Sequence, residues 1–292
     1  MSNVVLDGKK IGQEHRRQSA VRAEIYQQTT GLQVHLALLL VGDDAASQVY
    51  VRNKAKACEE AGIRSTIVRL PATASEDDVV NMVEQWNTDA SVHGILVQLP
   101  LPRHINEERV IVTIDPRKDV DGFHPVNVGR MMIGASCFIP CTPAGILELL
   151  RVGNVTTSGA HAVVIGRSNI VGKPIAALLA QKRPQGNATV TQCHTGTRNL
   201  HDYTRQADIL VCAVGVANLI TADHVKEGVV VIDVGMNRLT LDDGSSKLCG
   251  DVDFASVSPK ASLITPVPGG VGPMTIAMLL SNTVDAAERM IA

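Results

Sequence analysis

Tyr50 and Lys54 stand four residues apart in a stretch, 46–61, that reads as one helix, so their side chains share a face. A solvated lysine amine stays protonated and is a poor base. Burial beside other polar groups lowers the pKa of such an amine and suits it to proton transfer near pH 7. Gln98 closes the apolar run Gly94–Val97 and could be the polar neighbour that positions the amine. Asp121, in Lys118-Asp-Val-Asp-Gly122, could accept a ring N–H. Residue by residue there are plainer explanations. A Tyr/Lys pair at this spacing is commonly a surface coincidence, and an Asp before Gly is commonly a turn former.

A second group follows the apolar run 161–165: Gly166-Arg-Ser-Asn-Ile-Val-Gly-Lys-Pro174, then a helical stretch. A glycine at a strand end lets backbone approach a pyrophosphate, and the next helix N-terminus presents unpaired N–H groups. The spacing is neither GxGxxG nor a Walker A loop, since Gly166 and Gly172 are six apart and Pro174 stands where Ser or Thr would be required. The glycines alone are equally compatible with an empty tight turn. Arg167 and Ser168 favour a ligand, because a guanidinium and a hydroxyl can bind phosphate together. Cys193-His-Thr-Gly-Thr197, after the next strand, is where a dinucleotide fold faces the adenosine ribose.

Positioning these residues requires alternating helices and strands, and the hydrophobic pattern supplies them. Helices are expected at 7–28, 46–61 and 75–86, with strands at 34–41, 63–70 and 94–97. Ser75 is an N-cap, with Asp77 and Asp78 favoured in the first turn by the helix dipole. Residues 99–145 look turn-like, with two prolines in Leu99-Pro-Leu-Pro102 that exclude an interior strand. A helix capped by Thr142 runs to about Arg151. A second series follows: strands at 161–165, 188–192, 209–214 and 229–234, and a helix at 172–182. The turn Pro266–Pro273 leads into a last helix, 274–290. This order predicts an α/β protein with parallel sheets in two successive blocks.

Composition excludes other classes. Lys plus Arg is 27 against 29 Asp plus Glu, and aromatics are only 2%, so neither a basic surface nor a stacking platform for nucleic acid is expected. The start lacks a signal-peptide core, and no apolar run is long enough to span a bilayer. The six cysteines form no Cys-x-x-Cys pair and read as buried thiols of a cytoplasmic protein. The nine histidines show no metal-binding spacing, so no metal site is expected. Tyr-x-x-x-Lys also marks short-chain dehydrogenases, but there it follows the nucleotide loop, whereas Tyr50 precedes Gly166 by more than a hundred residues.

In combination, Val41–Lys54, Gly94–Pro102, Lys118–Pro125, Pro140-Cys-Thr-Pro143, Gly166–Gly172, Val231–Gly235 and Thr265–Thr275 resemble, in order and over nearly the whole chain, the bifunctional methylenetetrahydrofolate dehydrogenase/cyclohydrolase family. The resemblance implies two α/β domains with an interdomain cleft. Residues 1–141 would form the folate-binding catalytic domain, completed by a C-terminal helix at 272–292, and 142–271 a Rossmann-like NADP-binding domain. It implies oxidation of 5,10-methylene-tetrahydrofolate to the methenyl form with NADP, then hydrolysis to 10-formyl-tetrahydrofolate, by a homodimer. Lys54 would be the general acid/base, held in a useful protonation state by Gln98. Tyr50 would orient the folate and Asp121 would bind the pterin. Ser47, Gly270 and Val271 would line the folate site. Gly166, Arg167, Ser168, Thr195 and Met236 would hold the cofactor. The family commonly has Ser followed by Arg or Lys where this chain has Thr195-Gly196, which removes one candidate 2′-phosphate clamp; Arg167 remains and favours NADP over NAD. Two alternatives stay open at this level: the same fold with one activity, and a catalytically dead nucleotide-binding scaffold.

Overall fold

The computed structural model describes residues 4–240 and 245–291, which divide into two units. The first unit is Gln13–Cys141 with Ile276–Ala292; the second is Met1–Gly12 with Thr142–Thr275. In chain order the elements are β1 (Val4–Val5), α1 (Gly8–Thr30), β2 (His35–Val41), α2 (Ala45–Glu60), β3 (Arg64–Leu70), α3 (Glu76–Thr88), β4 (Gly94–Val97), α4 (Glu107–Thr113), α5 (Pro125–Met132) and α6 (Cys141–Val152). They continue with β5 (His161–Ile165), α7 (Gly172–Ala180), β6 (Thr189–Cys193), α8 (Leu200–Thr204), β7 (Ile209–Cys212), β8 (Val230–Asp233), β9 (Asn237–Thr240), β10 (Ser246–Cys249), α9 (Phe254–Val257), β11 (Leu263–Ile264) and α10 (Val271–Arg289).

The first unit is built on a parallel sheet of order β3-β2-β4. All seven residues of β2, His-Leu-Ala-Leu-Leu-Leu-Val, are buried, because a central parallel strand is covered on both faces. Leu36 and Leu38 join the core that takes in Tyr26 of α1, Cys58 of α2 and Leu280 and Val284 of α10. Ala37 and Leu39, on the alternate face, pack with Val79 and Val83 of α3 and Val110 of α4. Ser75 closes a capping box: the Asp78 N–H donates to its Oγ at 3.1 Å, and its own N–H donates to Asp78 Oδ2 at 2.9 Å.

The expectation of turns throughout 99–145 is corrected by α4 and α5. Asn106 caps α4 by accepting from Glu108 N at 2.9 Å and Arg109 N at 3.2 Å, and Pro125 occupies the first turn of α5. Both signals are present in the sequence but mark helices of only seven and eight residues, too short to show clear periodicity. Thr142 lies inside α6 rather than capping it, with its Oγ1 2.9 Å from Thr275 Oγ1. The last helix begins at Val271, inside the proline-glycine turn.

The second unit is a six-stranded parallel sheet, β6-β5-β7-β8-β11-β1, with β9 and β10 as an antiparallel hairpin. Its edge strand comes from the chain's beginning: Val4 and Val5 pair with Leu263 and Ile264. Val4–Gly12 cluster with this unit, whereas the sequence places 1–141 in the first domain. Two exposed valines carry no signal of a strand whose partner lies some 260 positions away. No helix among the described residues is long and apolar enough to cross a membrane.

A polar chain is buried in the first unit. His35 N donates to His93 Nδ1 at 3.1 Å, so the proton of neutral His93 is on Nε2, 3.0 Å from Tyr26 Oη. Ser91 O accepts from His35 Nδ1 at 3.0 Å, leaving His35 Nε2 to accept from Thr66 Oγ1 at 2.9 Å. Burial lowers the pKa of His93 to about 4 and also lowers that of His35. Below about pH 6.5 the unfolded chain therefore binds protons that the folded chain refuses. The stability supplied by neutral His93 is complete above that pH and is lost as pH falls through about 4. The thermal midpoint should drop between pH 7 and 4, and His93→Gln should flatten that slope; parallel slopes in circular-dichroism melts would disprove the assignment.

Candidate functional site

Lys54 lies on the buried face of α2. Ser47, Val51, Lys54 and Cys58 are all buried and follow steps of four, three and four, the spacing of one helical stripe. Lys54 is only 8% exposed. Asp44 starts the helix by accepting from Ser47 N at 2.7 Å. Tyr50, one turn before Lys54, is 42% exposed, so the phenol stands at the rim of the stripe and the amine lies beneath it.

The amine meets the end of β4. Lys54 Nζ donates to Gln98 Oε1 at 3.1 Å, and Gln98 Nε2 donates to Leu99 O at 2.7 Å. The second bond fixes which end of the amide faces lysine: its nitrogen is engaged by a carbonyl, so its oxygen must point to Nζ. Gln98 N is itself anchored on Leu39 O at 2.9 Å. Gln98 Oε1 accepts from one N–H of the Lys54 side chain, which leaves further donor capacity for a substrate.

Asp121 is half-buried in the loop after Lys118. The loop's shape comes from residues that sequence reasoning did not select. Asp119 accepts from Gly122 N, Phe123 N, His124 N and Asn127 Nδ2 at 2.8–3.2 Å. Lys118 Nζ donates to Trp86 O at 2.8 Å and Asp89 O at 2.7 Å. Asp119 is 1% exposed and serves the backbone of the turn that follows it, whereas Asp121 is half-buried. Nearby thiols are held inactive by burial. Cys58 is pushed up to about 12 against the opposing charge of Lys54, and Cys141 is pushed well up, with Asp121 adding to the effect. Neither is placed to act as a thiolate nucleophile.

The other sequence-selected residues belong to the second unit. Gly166 follows β5 at φ +124°, and a β-carbon there would lie 2.3 Å from Ala213 O. Ser168 Oγ accepts from Val171 N and Gly172 N, both at 3.2 Å, and Ser168 O accepts from Lys173 N at 3.0 Å. The first N–H groups of α7 are thus not the unpaired donors that the sequence suggests. The free donors lie one step earlier. Among the described residues no protein group accepts the backbone N–H of Arg167, Ser168, Asn169 or Ile170. Residues 167–170 are exposed, and four consecutive amides without a protein acceptor suit a pyrophosphate.

Thr195 is exposed after β6, where Thr197 Oγ1 accepts from His194 N at 2.9 Å. Met236 is 45% exposed after β8, its methyl 3.7 Å from where a β-carbon of Gly272 would stand. Gly270 is buried and donates its N–H to Pro266 O at 2.8 Å. Val271 is 4% exposed, which leaves its side chain little surface for a ligand.

Comparison with known proteins gives a consistent result. Residues 6–121 match the family model of the tetrahydrofolate dehydrogenase/cyclohydrolase catalytic domain, and residues 140–291 that of the NAD(P)-binding domain of the same name. The bifunctional protein FolD of Chlorobium chlorochromatii is 54% identical over 293 residues, spanning 98% of this chain and 99% of its own. The crystal structure of the bifunctional methylenetetrahydrofolate dehydrogenase/cyclohydrolase FolD of Campylobacter jejuni shares 48% identity with a TM-score of 0.93, covering 99% of this chain and 100% of that one. The Trypanosoma brucei enzyme, solved with NADP and an inhibitor, shares 36% identity with a TM-score of 0.93, covering 100% of this chain and 99% of its own.

The approach of Ala213 O to Gly166 carries a direct consequence. Gly166→Ala should lower the unfolding free energy by about 1–3 kcal/mol. It would be read as a reduced urea midpoint, and an unchanged midpoint would mean that the loop relaxes away without cost.

Proposed function

This chain belongs to the tetrahydrofolate dehydrogenase/cyclohydrolase family, and on that premise we propose that Lys54 is the general acid/base of its chemistry. The activity is bifunctional: 5,10-methylene-tetrahydrofolate is oxidised to the methenyl form with NADP, and the methenyl form is hydrolysed to 10-formyl-tetrahydrofolate. The observation that carries the lysine assignment is the buried Nζ held 3.1 Å from Gln98 Oε1.

NADP, when bound, supplies the hydride acceptor. The folate's own nitrogen lone pairs expel the hydride, so the first step calls on the protein for orientation rather than for a base. Hydrolysis is different. Water adds to the methenyl carbon, one proton must leave that water, and one must reach the ring nitrogen as its bond to carbon breaks. A single fixed amine with spare donor capacity can carry out both transfers. Gln98 positions Nζ, Tyr50 at the rim orients the folate, and Asp121 accepts from the pterin ring. Ser47, Gly270 and Val271 complete the proposed substrate contacts, Ser47 and Val271 each with little side-chain surface to offer. The exposed amides after Gly166, with Arg167 and Ser168, hold the cofactor's phosphates, and Thr195 and Met236 add contacts.

Two further readings belong here. The chain forms a homodimer, which the edge of β3 supports: among the described residues that strand pairs only with β2. It works in the cytoplasm, in keeping with six free thiols.

Lys54→Met should reduce hydrolysis of methenyl-tetrahydrofolate at least a thousandfold while NADP affinity stays within twofold. A wild-type hydrolysis rate would refute the assignment. Light scattering should give the mass of two chains; a single-chain mass at micromolar concentration would overturn the dimer.

A further inference from the structure

The chain continues from β5 to β6 on one side and to β7 on the other, so the sheet order changes direction at β5. The carboxyl ends of β5 and β7 therefore flank a crevice of the kind in which open α/β sheets bind ligands. One wall is the loop after Gly166. The other is Val214-Gly215-Val216, directly after β7. The walls meet, since Ala213 N donates to Ile165 O at 2.8 Å and Ala213 O fills the space of the missing Gly166 side chain.

The second wall is held from behind by a residue with no assigned role. Asp251 is fully buried. Its Oδ2 accepts from Val214 N at 2.7 Å and Gly215 N at 3.1 Å; its Oδ1 accepts from Val216 N at 2.9 Å and Asn237 Nδ2 at 3.0 Å. Four donors converge on two oxygens, a set that a carboxylate satisfies and an amide cannot. Asp251 is anchored in turn by Asp233, whose Oδ1 accepts from Asp251 N at 2.9 Å and whose Oδ2 accepts from Val252 N at 3.0 Å. Gly235 lets the carboxylate pass, because a β-carbon there would lie 2.1 Å from Asp251 Oδ1.

This arrangement divides the work of the two walls. The N–H groups of 214–216 are consumed inside the protein, so the crevice keeps its free backbone donors on the Gly166 side. Resting on the reading that this crevice takes NADP, we propose that Asp251 is a positioning residue of the cofactor site. It fixes Val214–Val216, and through Asn237 the segment carrying Met236, as the rigid wall against which the dinucleotide docks. Asp251 acts through these backbone groups and does not itself touch the cofactor.

The test uses the full-length protein and the variants Asp251→Asn and Asn237→Ala. NADP affinity is measured by titration calorimetry, alongside dehydrogenase KM and kcat and hydrolysis of methenyl-tetrahydrofolate without cofactor. In Asp251→Asn an NH2 replaces one acceptor oxygen and faces two donors. Kd and KM for NADP should rise at least tenfold, with the hydrolytic rate kept above half. Asn237→Ala removes one donor of four and should raise Kd two- to threefold. An unchanged Kd in Asp251→Asn would overturn the proposal. So would equal losses in both activities together with a lower unfolding midpoint, which would make Asp251 a fold hub only. If Asp251→Asn does not fold, Asn237→Ala decides, and an unaltered Kd there is also fatal. Wild-type protein that neither binds nor reduces NADP would instead defeat the underlying reading of the crevice.

Discussion

Every strand of a parallel sheet ends on the same edge, and the rest of this protein is arranged around that constraint. In the first unit Gln98 follows β4, and the Asp44 cap that starts the helix of Lys54 follows β2. In the second unit Gly166, Thr195, Val214 and Met236 follow β5, β6, β7 and β8. At these edges the ladder stops, and backbone amides that are paired inside the sheet become available for turns, carboxylates or ligands. Chemistry gathers there because it is where a buried, rigid framework first releases polar groups.

The released groups are handled in two ways. Some are satisfied internally by carboxylates: Asp119 takes four donors in the first unit, and Asp251 takes four in the second. Leaving such amides unpaired would cost about 1–3 kcal/mol each. Others have no acceptor among the described residues, as with the backbone amides of 167–170. The difference between anchoring and function is therefore an accounting of acceptors. Asp119 and Asp121 sit two residues apart in one loop, the first buried and saturated with donors and the second half-buried.

Much of this was legible in one dimension. The step of four from Tyr50 to Lys54, the unbroken apolar run of β2, the Ser75 cap and the glycine after β5 are local patterns, each decided within a few residues. Their physical causes are helix periodicity, burial on both faces and backbone conformation, and they survive into the folded chain with shifts of a residue or two at element ends. Short elements were lost. The caps of α4 and α5 were written in Asn106 and Pro125, but helices of two turns give no periodic stripe to confirm them.

By itself the sequence determined the α/β class, the position of Lys54 on a helix, the loop after Gly166 and, by resemblance, the family. Tertiary structure alone decided that Val4 and Val5 edge the second sheet, that Ser168 is turned inward onto the start of α7, and that Asp251 rather than a nearer residue holds the β7 wall. It also brought Lys54 within 3.1 Å of Gln98, a neighbour that the sequence offers only as a candidate 44 positions away. The reason is range. Periodicity and capping report interactions within about one helical turn, whereas a buried donor can be matched by an acceptor anywhere in the chain, and only packing brings the two within 3 Å.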